Sequence, residues 1–244
     1  TTAQWLVSGY MIVTSIFTAV MAFLSGRFST RKLLFFACGC MVAGEVLCLF
    51  APSFSVLLPS RILQAAGSGI LFPLMMNVVL SCAPREKLGL YLGGACITLG
   101  PAFGPVISGL MCTLFGWRAV FVVPLVGGIA VAAAGVKLVQ NVGERSNTTL
   151  DILSVVLLAA GITAFVYSVG EFSTNLISGI VTLFAALVLL GLFAARQLEL
   201  EHPVLNVRPM ASVRFWPACL LVVVSMMTMF SMSVLLPLYF EGAY

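Results

Sequence analysis

Ionisable and amide side chains inside long apolar segments are the residues of this sequence best suited to chemistry. Arg61 and Gln64 lie near the start of one such segment, residues 56–82, and Glu45 lies well inside another, residues 33–51. An arginine in the centre of a bilayer costs about 2.5–3.5 kcal/mol even on insertion scales. If these segments cross a membrane, their polar side chains are predicted to face protein or water.

The spacing of the polar residues after position 60 predicts a stripe along one helix face. Arg61, Gln64 and Ser68 follow one another at i, i+3 and i+7, which places them on the same side of an α-helix. We interpret this stripe as facing a transport cavity, and the alternative is that Arg61 snorkels to the membrane interface. Three roles stay open for Glu45: pairing with Arg61, lining a cavity, or binding a proton.

A second segment combines glycine and proline where a helix normally avoids them. The sequence GPAFGPVISG, residues 100–109, contains two Gly-Pro pairs four residues apart. Each proline removes a backbone hydrogen bond and bends a helix, whereas a GxxxG spacing lets two membrane helices approach closely. The pattern predicts a bent and closely packed membrane helix.

A basic cluster interrupts the apolar sequence once more. Arg27, Arg31 and Lys32 lie in SGRFSTRKL, residues 25–33, between two apolar segments. One interpretation is that these cations only set the topology of the chain. The other is that they form an ion-pairing latch between helix ends, which opens when the protein changes conformation.

The composition identifies the elements that must position these residues as membrane helices. The chain has 244 residues, of which 61% are hydrophobic and 8% are charged, whereas soluble domains carry about 25% charged residues. A membrane helix needs about 20 largely apolar residues. Eight segments meet this requirement, and the sequence therefore predicts an all-α polytopic membrane protein with spans at residues 5–25, 33–51, 56–82, 89–114, 117–136, 150–169, 176–195 and 215–239.

The basic residues predict the direction of every span, because lysine and arginine concentrate in cytoplasmic loops. Ten of the 12 lysines and arginines fall in alternate connections, which places the first residue outside the cell. The chain opens on Thr1, and we expect it to be a fragment that lacks one preceding span. The ten are Arg27, Arg31, Lys32, Arg85, Lys87, Lys137, Arg145, Arg196, Arg208 and Arg214.

Other function classes find little support in the sequence. The spans contain no Ser/His/Asp or carboxylate constellation for catalysis, so we expect no enzyme. The seven cysteines lie mostly in apolar segments without metal-ligand spacing, and we expect no metal and no cofactor. Basic residues scattered between apolar segments make no continuous stripe, which argues against nucleic acid as a partner.

Three motifs together resemble those of the major facilitator superfamily, and specifically of its fourteen-span drug:proton antiporter family. GRFSTRKL resembles the cytoplasmic motif between the second and third family spans, and RILQAAGSG resembles the arginine-bearing motif of the fourth. GPAFGPVISG closely resembles the antiporter motif of the fifth span. The resemblance covers essentially the whole chain and implies an incomplete superfamily fold with eight transmembrane helices, corresponding to family spans two to nine.

The resemblance also implies a domain organisation. Residues 1–138 would form the N-terminal helix bundle without its first span. Residues 139–213 would hold two linking transmembrane helices with cytoplasmic loops, the feature that favours the fourteen-span branch. Residues 214–244 would form the first helix of the C-terminal bundle.

The function that the resemblance implies is the export of small organic or drug-like compounds by proton antiport through alternating access. The protein would be a multi-pass protein of the cell (plasma) membrane, and its partners would be the substrate, protons, the lipid bilayer and the remainder of its own transporter chain. The implied site residues are Arg61, Gln64 and Glu45 for the transport cavity and proton coupling, Gly100, Pro101, Gly104, Pro105 and Gly109 for gating, and Arg27, Arg31 and Lys32 for the cytoplasmic motif.

Some positions depart from the family pattern. Gly26 stands where the cytoplasmic motif usually has an acidic residue, and Ser29 stands where it usually has a glycine. In addition, Ala65 and Ser108 replace glycines of the other two motifs. A truncated, non-transporting membrane scaffold or decayed fragment is therefore the alternative function.

Overall fold

The computed structural model describes residues 2–91, 99–139, 141, 151–172, 174–200, 203–213 and 215–243, and their regular secondary structure is helical. The chain divides into two compact units, residues 1–205 and residues 206–244. The all-helical fold predicted from composition is confirmed for the described part of the chain.

The first unit contains seven α-helices of seventeen residues or more among the described residues. Two short helical segments, Arg85–Lys87 and Leu88–Leu90, lie between the third and fourth of these helices. A 3₁₀ turn, Trp117–Phe121, leads directly into the fifth helix. The helices are α1 (Thr2–Arg27), α2 (Thr30–Leu49), α3 (Phe54–Cys82), α4 (Leu99–Phe115), α5 (Val122–Leu138), α6 (Ile152–Glu171) and α7 (Leu176–Glu199).

The second unit contains a short 3₁₀ helix, Arg208–Ala211, followed by α8, Phe215–Ala243. Helix α8 carries no charged side chain from Phe215 to Met232. A helix that is apolar on all sides requires lipid or other helices around it.

Seven of the eight long helices among the described residues have the length and apolar composition of a membrane span, and α4 does not. Among the described residues, seven are long and apolar enough to cross a bilayer. The predicted fourth span is described only in part, because residues 92–98 lie outside the described ranges. Its described apolar segment, Phe103–Phe115, is shorter than a helix needs to be to cross a bilayer. The seven are Trp5–Arg27, Thr30–Leu49, Phe54–Cys82, Trp117–Leu138, Ile152–Glu171, Leu176–Glu199 and Phe215–Met232.

Helix α3 is the centre of the packed part of the first unit. It packs against both α1 and α2, and α2 in turn packs against α5, while α6 and α7 form an antiparallel hairpin that touches α1. The main core lies where α1, α2 and α3 meet and contains Met21, Leu33, Leu34, Ala37, Cys38, Ile70 and Leu74.

Glycines on α2 and α3 explain how closely α1, α2 and α3 approach one another. A Cβ built at Gly67 would lie 2.5 Å from the Ala37 carbonyl oxygen, and one at Gly69 would lie 2.7 Å from the Thr14 carbonyl oxygen. On the facing side of α2, a Cβ at Gly44 would lie 2.8 Å from the Ser60 carbonyl oxygen. Without side chains at these positions the backbones can touch, which is how small residues serve membrane helix packing.

Candidate functional site

Arg61, Gln64 and Glu45 lie together where α2 packs against α3. The Arg61 Nη1 donates a hydrogen bond of 2.8 Å to the Gln64 Oε1, and the Gln64 Nε2 donates to the Glu45 Oε1. The three side chains thus form a continuous chain of hydrogen bonds, which we call the Glu45–Gln64–Arg61 relay. The polar stripe on α3 faces protein, and the three predicted cavity residues are brought together by the fold.

The relay ends in a buried carboxyl group with free hydrogen-bonding capacity. Glu45 has no solvent-exposed surface, and its Oε2 has no hydrogen-bond partner among the described residues. Arg61 and Glu45 form no direct ion pair in the described part of the chain, because Gln64 stands between them. A buried carboxylate without a paired cation is costly, whereas the neutral acid is much less so and can donate a hydrogen bond.

Two aromatic rings lie beside the Arg61 guanidinium. Its Cζ is 5.0 Å from the ring centroid of Tyr10 on α1 and 5.8 Å from that of Phe121, in the turn before α5. Both distances are within the range of a cation–π contact. The Tyr10 hydroxyl donates a hydrogen bond of 2.8 Å to the Ser68 Oγ. The Ser68 hydroxyl in turn donates a hydrogen bond of 3.2 Å to the Gln64 carbonyl oxygen.

The sequence predicts this site through helix periodicity. Arg61, Gln64 and Ser68 share one face of α3, and that face meets α1 and α2. The sequence pattern did not indicate Tyr10 or Phe121 as site residues. No local signal places them there, because each comes from a different helix or turn and only the packing of three elements brings it to Arg61.

The glycine- and proline-rich motif lies on α4, apart from the relay contacts. Pro105 lies inside the helix, so the backbone lacks one donor there. A Cβ built at Gly104 or Gly109 would meet nothing within 4 Å among the described residues. The close helix approach expected from the GxxxG spacing stays a prediction, and the surroundings of Gly100 and Pro101 lie outside what the structure describes.

The predicted cytoplasmic motif occupies the end of α1 and the first turn of α2, with Arg27, Arg31 and Lys32 all exposed. The Ser29 side chain caps α2 by accepting from the Lys32 amide. The Arg31 Nη2 donates to the Val136 carbonyl oxygen at 2.7 Å, near the C-terminus of α5. This is a favourable contact between a cation and the negative end of a helix dipole. Among the described residues, the arginine contacts a helix end and no carboxylate.

A second polar cluster joins the start of α6 to the end of α7. The carboxylate of Asp151 accepts from the Arg196 Nε at 2.6 Å and Nη2 at 3.1 Å, and also from the Ser154 hydroxyl at 2.5 Å. These hydrogen bonds lower the pKa of Asp151 from 3.8 to about 2. Buried Gln197 donates to the Ser154 Oγ and accepts from the Leu205 amide. The cluster ties the segment after α7 to the hairpin.

Comparisons with known proteins place the chain among membrane transporters. It is 36% identical over 245 residues to the MFS-type transporter YcnB of Bacillus subtilis and 36% identical over 248 residues to the lincomycin resistance protein LmrB of the same organism. It is 29% identical over 245 residues to the riboflavin transporter RibZ of Clostridioides difficile.

These alignments cover 98%, 99% and 98% of this chain and 52% of each relative, so the chain spans about half the length of the curated relatives it matches. The family model of the Major Facilitator Superfamily matches residues 1–244. The match and the all-helical, membrane-spanning fold agree with the resemblance of the three motifs. The chain belongs to the Major Facilitator Superfamily, a family of transporters.

Proposed function

We propose that the protein exports small organic or drug-like compounds across the cell membrane by proton antiport through alternating access. The observation that carries the proposal is the buried Glu45 carboxyl, whose Oε1 is linked through Gln64 to Arg61 and whose Oε2 has no hydrogen-bond partner among the described residues. Intramembrane ionisable residues are rare, and they mark ion or substrate routes in transporters. Relatives named for lincomycin resistance support the drug-like class of substrate.

In the proposed cycle Glu45 is the proton carrier. The neutral acid holds its proton on Oε2 and is tolerated in a dry environment. When the proton leaves, the carboxylate keeps the Gln64 amide as donor and gains from the nearby charge of Arg61. The switch between neutral and charged forms changes the charge at the meeting point of α1, α2 and α3, and a two-state helix bundle can respond to such a change.

The other sequence motifs have supporting roles in this proposal. Helix α4, with Gly100, Pro101, Gly104, Pro105 and Gly109, would be the gating helix, because a helix weakened by proline bends more readily. The basic motif at the start of α2 would hold the cytoplasmic end of α5 through Arg31. The concentration of cations at this end supports a cytoplasmic location for it.

The test compares Glu45→Gln and Arg61→Ala with wild type in proteoliposomes that contain the intact protein as its cell makes it. An imposed pH gradient drives the transport of two probes, lincomycin and the dye ethidium. Glu45→Gln keeps the shape and hydrogen bonding of the side chain but cannot exchange a proton, so we expect it to lose gradient-driven accumulation. Arg61→Ala is expected to lose it as well.

The matched control is Glu199→Gln, which removes an exposed carboxylate at the end of α7. It should accumulate both probes as wild type does. Equal accumulation by Glu45→Gln and wild type would exclude Glu45 as the proton carrier. If wild-type protein moves both probes equally well with and without a pH gradient, proton antiport itself is wrong for these compounds.

A further inference from the structure

The turn between α4 and α5 lies next to the relay and has a defined shape. Gly116 adopts a φ of +84° immediately before the 3₁₀ turn Trp117–Phe121, a conformation that side-chain-bearing residues rarely adopt. The rings of Trp117 and Phe121 pack edge to face with centroids 6.2 Å apart. The Phe121 ring is the one that lies 5.8 Å from the Arg61 guanidinium.

Arg118 fastens this turn to the end of α2. Its Nη2 donates to the carbonyl oxygen of buried Ala51 at 3.1 Å, and its guanidinium lies 4.4 Å from the Trp117 ring centroid. Ala51 follows the helix that carries Glu45. The turn that contains Phe121 therefore contacts the segment just after the helix that holds the proposed proton carrier, and it also packs against that helix.

The aromatic contacts restrict where the Arg61 guanidinium can point. Its described hydrogen bond is the one from Nη1 to Gln64, and the rings of Tyr10 and Phe121 lie beside its Cζ. An arginine side chain has several rotatable bonds and gives up considerable rotamer entropy when it is held in one place. Flanking rings reduce its alternatives and favour the orientation that reaches Gln64.

We propose that Phe121, held in place by Arg118, is a positioning residue for the relay, because its ring keeps the Arg61 guanidinium directed at Gln64. The inference rests on the proposed role of the relay in proton coupling. It assigns a role in coupling to Phe121 and Arg118, neither of which the sequence pattern indicated as a site residue. The ring acts through Arg61 and needs no contact with substrate or proton.

The test uses a pair of substitutions that differ in their π-face. Phe121→Leu keeps an apolar side chain of moderate size but removes the ring, whereas Phe121→Trp keeps an aromatic face. In intact protein reconstituted into liposomes, we expect Phe121→Leu to lower pH-driven accumulation of ethidium about five- to thirtyfold. Phe121→Trp should stay within about twofold of wild type, because tryptophan is the strongest cation–π partner.

A second readout does not depend on transport. Cys48 is fully buried, one helical turn from Glu45, and in a variant whose other cysteines are replaced it reports on access to this region. We expect N-ethylmaleimide to modify Cys48 faster in Phe121→Leu and in Arg118→Ala than in the parent. Phe184→Leu, which removes an exposed ring on α7, is the matched control and should change neither readout.

The outcomes separate the two proposals. If Phe121→Leu accumulates ethidium as wild type does, or if Phe121→Trp loses as much activity as Phe121→Leu, the positioning role is overturned. If Glu45→Gln and Arg61→Ala keep full gradient-driven accumulation, the proposed function fails and ethidium accumulation no longer tests Phe121. In that case an unchanged rate of Cys48 modification in Phe121→Leu overturns the positioning role, and a faster rate supports it. Membrane abundance and melting temperature of each variant, measured in parallel, exclude misfolding as the cause of a loss.

Discussion

Replacing Gly67 by alanine should destabilise the helix bundle, although alanine is the better helix former. Gly67 is buried on α3 at its contact with α2. An added Cβ would lie 2.5 Å from the Ala37 carbonyl oxygen, 2.9 Å from the Met41 backbone nitrogen and 3.1 Å from the Met41 Cβ. Two of these three atoms belong to the backbone of α2, so no side-chain rotation can remove the conflict.

The size of the destabilisation follows from the distance by which α2 and α3 must move apart. Ordinary contacts of a Cβ begin at 3.4 Å, so α2 and α3 would have to separate by roughly 1 Å near this position. Overpacking of a well-packed interior costs about 1–3 kcal/mol, and the higher helix propensity of alanine offsets at most about 1 kcal/mol. Because the two shortest contacts are to backbone atoms, we expect the upper half of the overpacking range, and the net loss in the free energy of unfolding is then about 1–2 kcal/mol.

The assay is thermal unfolding of the purified protein in detergent, followed by tryptophan fluorescence. A loss of this size corresponds to a decrease in melting temperature of about 2–8 °C. Gly39→Ala on α2 is the matched control, because a Cβ at that exposed position meets nothing within 4 Å. It should melt at or above the wild-type temperature. Equal melting temperatures for the two variants would refute the argument that direct backbone contact determines the packing of α2 on α3.

Two further predictions concern the α6–α7 hairpin and the topology. The pKa of Asp151 is lowered to about 2 from 3.8, so its ion pair with Arg196 contributes fully above about pH 4 and is lost as the pH falls through 2. Asp151→Asn should therefore melt below wild type at pH 7, and the difference should shrink towards pH 2; a difference that is constant with pH would contradict this linkage. In intact cells, a membrane-impermeant maleimide should label a cysteine introduced at Asn175 but not one introduced at Arg208, and the reverse pattern would show that the orientation assigned from the basic residues is wrong.

Most helices of this protein could be predicted from the sequence, because a membrane helix satisfies its backbone hydrogen bonds within itself and must be apolar over about 20 residues. Both requirements are local, and composition and hydropathy reveal them. The polar stripe of Arg61, Gln64 and Ser68 could be predicted for the same reason, since helix periodicity alone puts i, i+3 and i+7 on one face. The family membership followed from three short motifs in the right order.

The contacts between helices could not be read in this way. The sequence left open whether Glu45 pairs with Arg61. In the folded chain Gln64 lies between them and forms a hydrogen bond with each. The GxxxG spacing of α4 suggested the close helix approach, whereas the closest backbone contacts among the described residues occur at Gly44, Gly67 and Gly69. Spacing shows which residues share a face but does not identify the helix that the face meets.

What the sequence by itself determined is therefore the set of helices, their polar faces and the concentration of cations in alternate connections, because each depends on residues close together in the chain. What only the tertiary structure decided is which helix covers each face. That choice placed Tyr10 and Phe121 beside Arg61 and buried one oxygen of Glu45 that has no hydrogen-bond partner in the part of the chain that the structure describes. Its physical reason is that packing energy depends on the fit between surfaces distant in sequence, and hydropathy carries no information about that fit.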